Sequence, residues 1–343
     1  MRILVVSDAW YPQVNGVVRT LDTLRGELET DGHQVVFVTP ELFRSFPCPT
    51  YPEIRLAVRP YPKLARIIQD NQPCAIHIAT EGPLGWAARR FCLRRGVPFT
   101  TAYHTKFPEY IQARFRVPLP LSYSVVRRFH ARSSAVMVAT PSIQNELEKR
   151  GFQNIRRWGR GVDTNQFQPG EKLLFAHLPG PIFLYVGRVA VEKNIQAFLD
   201  CDLPGSKVVV GDGPQLEEMK RRYPKVTFTG AKRGAELAAH YAAADVFVFP
   251  SRTDTFGLVL LEALASGLPV AAYPVPGPLD VIGHDSGAGI LHEDLRTAAL
   301  EALKLDPVAC RAFALKFSWQ ASTQQFLSNL KPFEETVWTQ SAA

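Results

Sequence analysis

Two carboxylates, Asp254 and Glu262, stand on either side of an apolar segment start, Leu258-Val259-Leu260-Leu261, with seven residues between them. The formers Glu262-Ala263-Leu264-Ala265, the stop Gly267 and Thr255 as N-cap make this a helix, and DVFVFP before it reads as a strand. A strand, a glycine-containing turn and a helix in that order aim unpaired amides and a positive dipole end at one spot, which suits a diphosphate. Carboxylates beside such a spot accept hydrogen bonds from hydroxyls, as a nucleotide joined to a sugar would offer. A capped core helix with a solvated Glu262 satisfies the same residues. Arg188 and Lys193 follow the apolar run FLYVG and could both reach one diphosphate, Arg with a planar fork and Lys with a compact charge. A surface salt bridge to Glu192 is the alternative.

Four further places combine a strand end with polar chemistry. His104 closes PFTTAYH, where a lone histidine serves either structure or catalysis, and Glu81 ends the strand before it. Asn15-Gly16 lies in the first strand-to-helix turn, where a residue without a side chain lets backbone approach a phosphate or sugar. That turn is not a G-x-G-x-x-G fingerprint, which argues against a nicotinamide cofactor. Gly211-Asp212-Gly213-Pro214 follows SKVVV and reads as a tight loop.

The elements that must position these residues alternate strand with helix. RILVVS, HQVVFV, CAIHIAT, PFTTAYH and SAVMVAT are strands separated by helical patterns such as GWAARRFCLRRG, and the series restarts with PIFLYVGR after a proline-bearing link near Phe167 to Gly170. Such alternation is the signature of doubly wound parallel sheets, so two Rossmann-like α/β domains are expected, 1–172 and 173–318. With 343 residues the chain can bury two cores, and no apolar stretch is long enough to cross a bilayer. The start, MRILVVSDAW, reads as mature structure without an export leader. Five scattered cysteines without a C-x-x-C pair argue against a zinc site or disulfide framework and fit a reducing cytoplasm.

Charge is uneven. Residues 1–172 carry 24 Lys and Arg against 14 Asp and Glu, whereas the remainder is slightly acidic. The excess gathers at Arg89-Arg90, Arg94-Arg95, Arg114, Arg116, Arg127-Arg128, Arg132, Arg156-Arg157 and Arg160. Such a face suits anionic phospholipid, nucleic acid or plain solvation. No nucleic-acid module or interleaved aromatic platform accompanies it, which ranks membrane above nucleic acid.

The run SRTDTFGLVLLEALASGLPV resembles the E-x7-E region of retaining nucleotide-sugar glycosyltransferases of family 4, which have the two-domain GT-B fold. Asp254 replaces the usual first glutamate, keeping the charge on a shorter arm. Gly187-Arg188-x-x-x-Glu192-Lys193-Asn194 resembles the family's G-R-x-x-x-E-K-N element, Gly211 to Pro214 its G-D-G-P turn and Gly161-Val162-Asp163 the segment before its hinge. YHTKFPEY and SDAWYPQVNGVVRT resemble lipid glycosyltransferases and GDP-mannose-dependent mannosyltransferases. The resemblance implies two Rossmann-like domains facing a central cleft, with helix 319–343 packing back onto an acceptor-binding first domain. It implies a donor site of Gly16, Arg188, Lys193, Gly211, Asp254, Phe256, Gly257, Leu258 and Glu262. His104, Arg188, Lys193 and Asp254 would serve catalysis, and Asn15, Glu81 and Tyr103 the acceptor side.

No Asp-x-Asp element is placed to hold a diphosphate-bound metal, so no metal or other cofactor is expected, the nucleotide-sugar being a substrate. The resulting expectation is a peripheral enzyme on the inner face of the cytoplasmic membrane. It would move a hexosyl or hexuronosyl unit from UDP-glucose or UDP-glucuronate to a lipid such as diacylglycerol. Mannosyl transfer from GDP-mannose to a glycolipid or polysaccharide is the alternative. A nucleotide-sugar epimerase and a non-enzymatic sugar-nucleotide binder are the readings from other classes.

Overall fold

The computed structural model describes residues 1–13, 15–48, 51–254, 256–334 and 336–339. The chain forms two compact units, Met1–Gly159 with Gln320–Ala343, and Arg160–Trp319. The division falls before the proline-bearing link. Arg311 explains why residues 160–172 go with the second unit: its guanidinium donates to the carbonyls of Thr164 and Phe167 at 3.1 and 2.9 Å.

The strands of the first unit are β1 (Arg2–Val6), β2 (Gln34–Val38), β3 (Ser45–Cys48), β4 (Tyr51–Ala57), β5 (Ala75–Ile78), β6 (Thr100–Tyr103), β7 (Ala135–Val138) and β8 (Ile155–Arg157). Six of them make a parallel sheet in the order β2-β1-β5-β6-β7-β8, and β3 pairs antiparallel with β4 in a separate hairpin. Runs such as AIHI and AVMV are buried along their whole length because helices cover both faces. β1 shows the two faces directly: Leu4 and Val6 pack with Leu64, Ile78 and Phe91, whereas Ile3 and Val5 pack with Leu24, Trp158 and Phe326.

Phe326 comes from the helix Trp319–Asn329, which is fixed to the end of β8. There Gln325 accepts from the Gly159 amide at 2.6 Å, Ser322 donates to the Gly159 carbonyl at 2.8 Å and Asn329 donates to the Arg157 carbonyl at 2.7 Å.

The second unit has β9 (Ile182–Val186), β10 (Ser206–Val210), β11 (Thr227–Gly230), β12 (Val246–Phe249), β13 (Val270–Ala272) and β14 (Gly289–Leu291). They form one parallel sheet in the order β11-β10-β9-β12-β13-β14. In both units the chain runs outward from the first strand on one side, then crosses to its other side. The reversal points lie between β1 and β5 and between β9 and β12. Ligands of open α/β sheets bind outside the carboxyl ends of strands at such reversals. Asn15 and Glu81 follow β1 and β5, and Arg188 and Asp254 follow β9 and β12.

Candidate active site

In the second unit, Gly187 and Arg188 leave β9 into a short 3-10 turn, Val191–Lys193, closed by Asn194 in the left-handed conformation at φ 52°. Asparagine tolerates that conformation, and its side chain donates to the Pro250 carbonyl at 3.0 Å. Thr253 donates to the Glu192 carbonyl at 3.2 Å, and Lys193 forms an ion pair with Asp254. Three side-chain links therefore clasp the loop after β9 to the loop after β12. The Lys193 and Asp254 side chains are 23% and 15% exposed, and Asp254 Oδ2 has no hydrogen-bond partner among the described residues.

Arg188 is half-buried, and its carbonyl accepts from the Tyr185 hydroxyl at 2.7 Å. Burial raises the Tyr185 pKa, so this donor keeps its proton. Gly211 stands where backbone meets backbone. A Cβ there would lie 1.8 Å from the Gly187 carbonyl oxygen, at φ +154°.

Thr255, expected as N-cap, lies outside the described residues; Gly257 holds the N-cap position of the helix Leu258–Ala265, at φ 88°. Phe256 is buried and Leu258 half-buried. Glu262 is not a solvated carboxylate: it is 4% exposed and accepts from the Tyr241 hydroxyl at 2.9 Å. Arg188, Lys193 and Asp254 are thus gathered by two loops at one sheet reversal, with the helix start beside them and Glu262 farther along that helix.

In the first unit, Asn15 caps the helix Gly16–Thr30. Its carboxamide oxygen accepts from the Val17 and Val18 amides, each at 3.0 Å, and Gly16 is exposed at the first helical position. Glu81 meets His130 Nε2 at 3.2 Å, while Thr101 Oγ1 lies 2.8 Å from His130 Nδ1. His104 is half-buried and edge-on to Trp158, with ring centroids 5.5 Å apart. Tyr103 departs from its expected acceptor-side place. Its ring is 1% exposed and packs among Tyr123, Val136 and Phe152, because β6 is buried on both faces. Burial also raises the pKa of its hydroxyl.

Sequence reasoning missed Asp8 and His130. Asp8 is buried at the end of β1, accepting from the Leu84 and Gly85 amides at 2.8 and 3.1 Å and from Thr80 at 3.0 Å. It thereby holds the start of the helix Pro83–Arg95 and the loop carrying Glu81. A polar residue at a strand end is its only signal in the sequence. His130 has none, since the end of the helix Leu119–His130 delivers it.

The basic face is smaller than the sequence implies. Arg160 is 7% exposed and Arg157 donates to the Ala139 carbonyl at 2.9 Å. Arg89 donates to the carbonyls of Arg128 and Phe129, each at 2.9 Å, satisfying the end of the helix Leu119–His130. The Arg114 side chain lies outside the described residues. Among the described residues, no three His, Cys, Asp or Glu side chains are grouped to hold a metal ion, and no helix is long and apolar enough to cross a membrane.

Two doubly wound parallel-sheet domains match the architecture of GT-B glycosyltransferases. Residues 14–166 match the family model Glycosyltransferase Family 4, and residues 180–305 match Glycosyl transferases group 1. The chain is 31% identical to alpha-monoglucosyldiacylglycerol synthase of Streptococcus pneumoniae, over 90% of this chain and 79% of that protein. It is 30% identical to GDP-mannose-dependent alpha-mannosyltransferase of Mycolicibacterium smegmatis, over 82% of each. It is 29% identical to sulfoquinovosyl transferase SQD2 of Arabidopsis thaliana, over 98% of this chain and 74% of that protein. Sucrose-phosphate synthase from Thermosynechococcus elongatus shares the fold with a TM-score of 0.76 and 23% identity, over 95% of this chain and 97% of that one. The chain belongs to glycosyltransferase family 4 and is a hexosyltransferase.

Proposed function

We propose that the protein moves a hexosyl or hexuronosyl unit from a UDP-sugar, UDP-glucose or UDP-glucuronate, to a membrane lipid such as diacylglycerol, with retention of anomeric configuration. The observation that carries this reading is the placement of Arg188, Lys193 and Asp254 on two loops clasped together at the reversal between β9 and β12.

Arg188, Lys193 and the amides at Phe256, Gly257 and Leu258 would neutralise the charge that develops on the departing diphosphate. Lys193 would exchange its Asp254 contact for phosphate oxygen as the donor binds. Asp254 is then released to accept from a sugar hydroxyl, and Glu262 takes the ribose side. Acceptor attack on the same face as the leaving group passes through an oxocarbenium-like state, and the donor's own phosphate oxygen takes the acceptor proton. Cationic side chains and amides fill the role a metal would play, so transfer is metal-independent in this proposal.

The acceptor reading draws on the named lipid relative and on the first unit's surface. Leu121 and Val125 are 61% and 52% exposed on the helix that also presents Arg127 and Arg128. Apolar side chains flanked by arginines suit an anionic bilayer surface, which would hold the protein peripherally on the inner face of the cytoplasmic membrane. Mannosyl transfer from GDP-mannose to a glycolipid is the second reading, favoured by the mannosyltransferase relative.

The test incubates the protein and EDTA with anionic vesicles containing diacylglycerol, and separately with UDP-glucose, UDP-glucuronate or GDP-mannose, and reads products by mass spectrometry. A hexosyl or hexuronosyl diacylglycerol from one UDP-sugar is expected. Product from GDP-mannose alone, or no lipid product, overturns the first reading.

A further inference from the structure

A cavity of about 470 Å3 opens in the first unit beside the turn that carries Asn15 and Gly16. The segment after β1 supplies Trp10, Tyr11 and Gln13, and the stretch from the end of β2 through the β3–β4 hairpin supplies Glu41, Phe43 and Arg55. Its size is that of a small-molecule site.

The walls are held in place before any ligand arrives. Trp10 is buried and packs against Phe37 and Tyr11, with centroids 4.7 and 5.6 Å apart. The Tyr11 hydroxyl donates to Asp22 at 2.6 Å. Gln13 is buried between the Asp8 carbonyl, 3.3 Å away, and the Asn15 side chain, 3.1 Å away. Arg55 is anchored by Ser45, donating to its hydroxyl at 3.2 Å and to its carbonyl at 2.8 Å. Little reorganisation is left for binding to offset.

The chemistry of the lining selects a ligand class. Aromatic faces carry partial negative charge and attract the C–H edges of a saturated ring. The Glu41 carboxylate and the Arg55 guanidinium are the groups that pair with adjacent hydroxyls. Glu41 stands in the same lining as Arg55, so a phosphate or sulfate would meet a carboxylate as well as its counter-charge. A neutral polyhydroxylated ring avoids that conflict. We propose that this cavity is a carbohydrate subsite that takes a neutral pyranose ring already attached to the acceptor. This rests on the first unit being the acceptor side, and it makes a glycosylated lipid a better acceptor than bare diacylglycerol.

Binding is measured first, on the full chain without donor, by saturation-transfer NMR and Trp fluorescence. The probes are methyl pyranosides of glucose, galactose and mannose, with sulfate and glycerol 3-phosphate as anions. At least one pyranoside is expected to bind, and to bind about tenfold more weakly to Arg55→Gln and Tyr11→Ala, the loss typical of removing a charged donor or an aromatic wall. Glu41→Gln, at an exposed position, serves as a third variant, and circular dichroism checks the fold of each. Transfer is then compared between bare and glycosylated diacylglycerol, and to a free disaccharide, which separates a lipid-borne sugar from a soluble glycan. The kcat/KM preference for the glycosylated acceptor should fall about tenfold in the same variants.

No pyranoside binding to the wild type, binding unchanged in all three variants, or binding of the anions alone overturns the proposal. Pyranoside binding that responds to the variants, without transfer to either lipid from any donor, leaves the subsite standing and removes the lipid-acceptor reading instead.

Discussion

Asp254 engages Lys193 through one carboxylate oxygen and keeps the other buried without a partner among the described residues. In the proposed donor site, a ligand bringing both phosphate and hydroxyl groups would satisfy both side chains at once. Lys193→Ala should therefore lower kcat about 10²–10³-fold, the range found when one donor to a developing oxyanion is lost. The fold should be intact by circular dichroism, since the partly exposed lysine is outside the core. A fully active Lys193→Ala variant would remove the phosphate role. Asp254→Asn keeps the size and loses the charge, so the steady-state parameters separate two roles. A rise in KM with kcat unchanged marks ground-state sugar contact, whereas equal falls in kcat and kcat/KM mark an interaction made only in the transition state.

At the scale of elements, glycines show how far the second sheet depends on close backbone approach. Gly211→Ala must push its Cβ away from the Gly187 carbonyl oxygen, 1.8 Å distant, and should destabilise the protein by about 2–4 kcal/mol in urea unfolding. Gly26→Ala is the opposite case. It is exposed within the helix Gly16–Thr30 with nothing within 4 Å of the added Cβ, and should stabilise by about 0.5–1 kcal/mol.

The Asp8 bracket titrates. Burial pushes its carboxyl from 3.8 up to about 6, against the hydrogen bonds from Leu84, Gly85 and Thr80. Between those values the native protein binds more protons than the unfolded chain. Stability therefore falls as pH rises from about 4 to about 6, by on the order of 3 kcal/mol, and levels off above. Asp8→Asn keeps an oxygen for the Leu84 amide and should flatten the dependence; the same slope in the variant would clear Asp8 of it. Much of this architecture was legible in the sequence. Strands such as AVMV and VFVF announce themselves because both faces are buried. The β3–β4 hairpin did not, since Pro47 and Pro52 interrupt any alternation. The proximity of Lys193 to Asp254, 61 residues apart, follows from sheet order, which only a family resemblance could supply. His130 stayed hidden because helix Leu119–His130 carries it to Glu81 from a segment with no motif.

For the molecule as a whole, formal charge is +7, and its excess lies before residue 173. Part of that excess is structural, as Arg89, Arg157 and Arg160 show, so what faces solvent is narrower than the composition implies. Arg127 and Arg128 remain exposed with Leu121 and Val125 on one helix, and Arg90 and Arg94 stack over Tyr61 at 4.8 and 5.5 Å. Two forces with different salt responses then act at a bilayer: electrostatic attraction of about 1 kcal/mol per cation, screened within about 8 Å at physiological salt, and apolar insertion, which salt does not screen. Sedimentation with anionic vesicles should weaken steeply as salt rises and should be weaker still for Arg127→Gln/Arg128→Gln. Leu121→Ser/Val125→Ser should instead lower binding at every salt concentration and leave the salt slope unchanged. Partitioning that ignores salt in the wild type, or equal binding to neutral and anionic vesicles, would exclude the basic helix as the docking element.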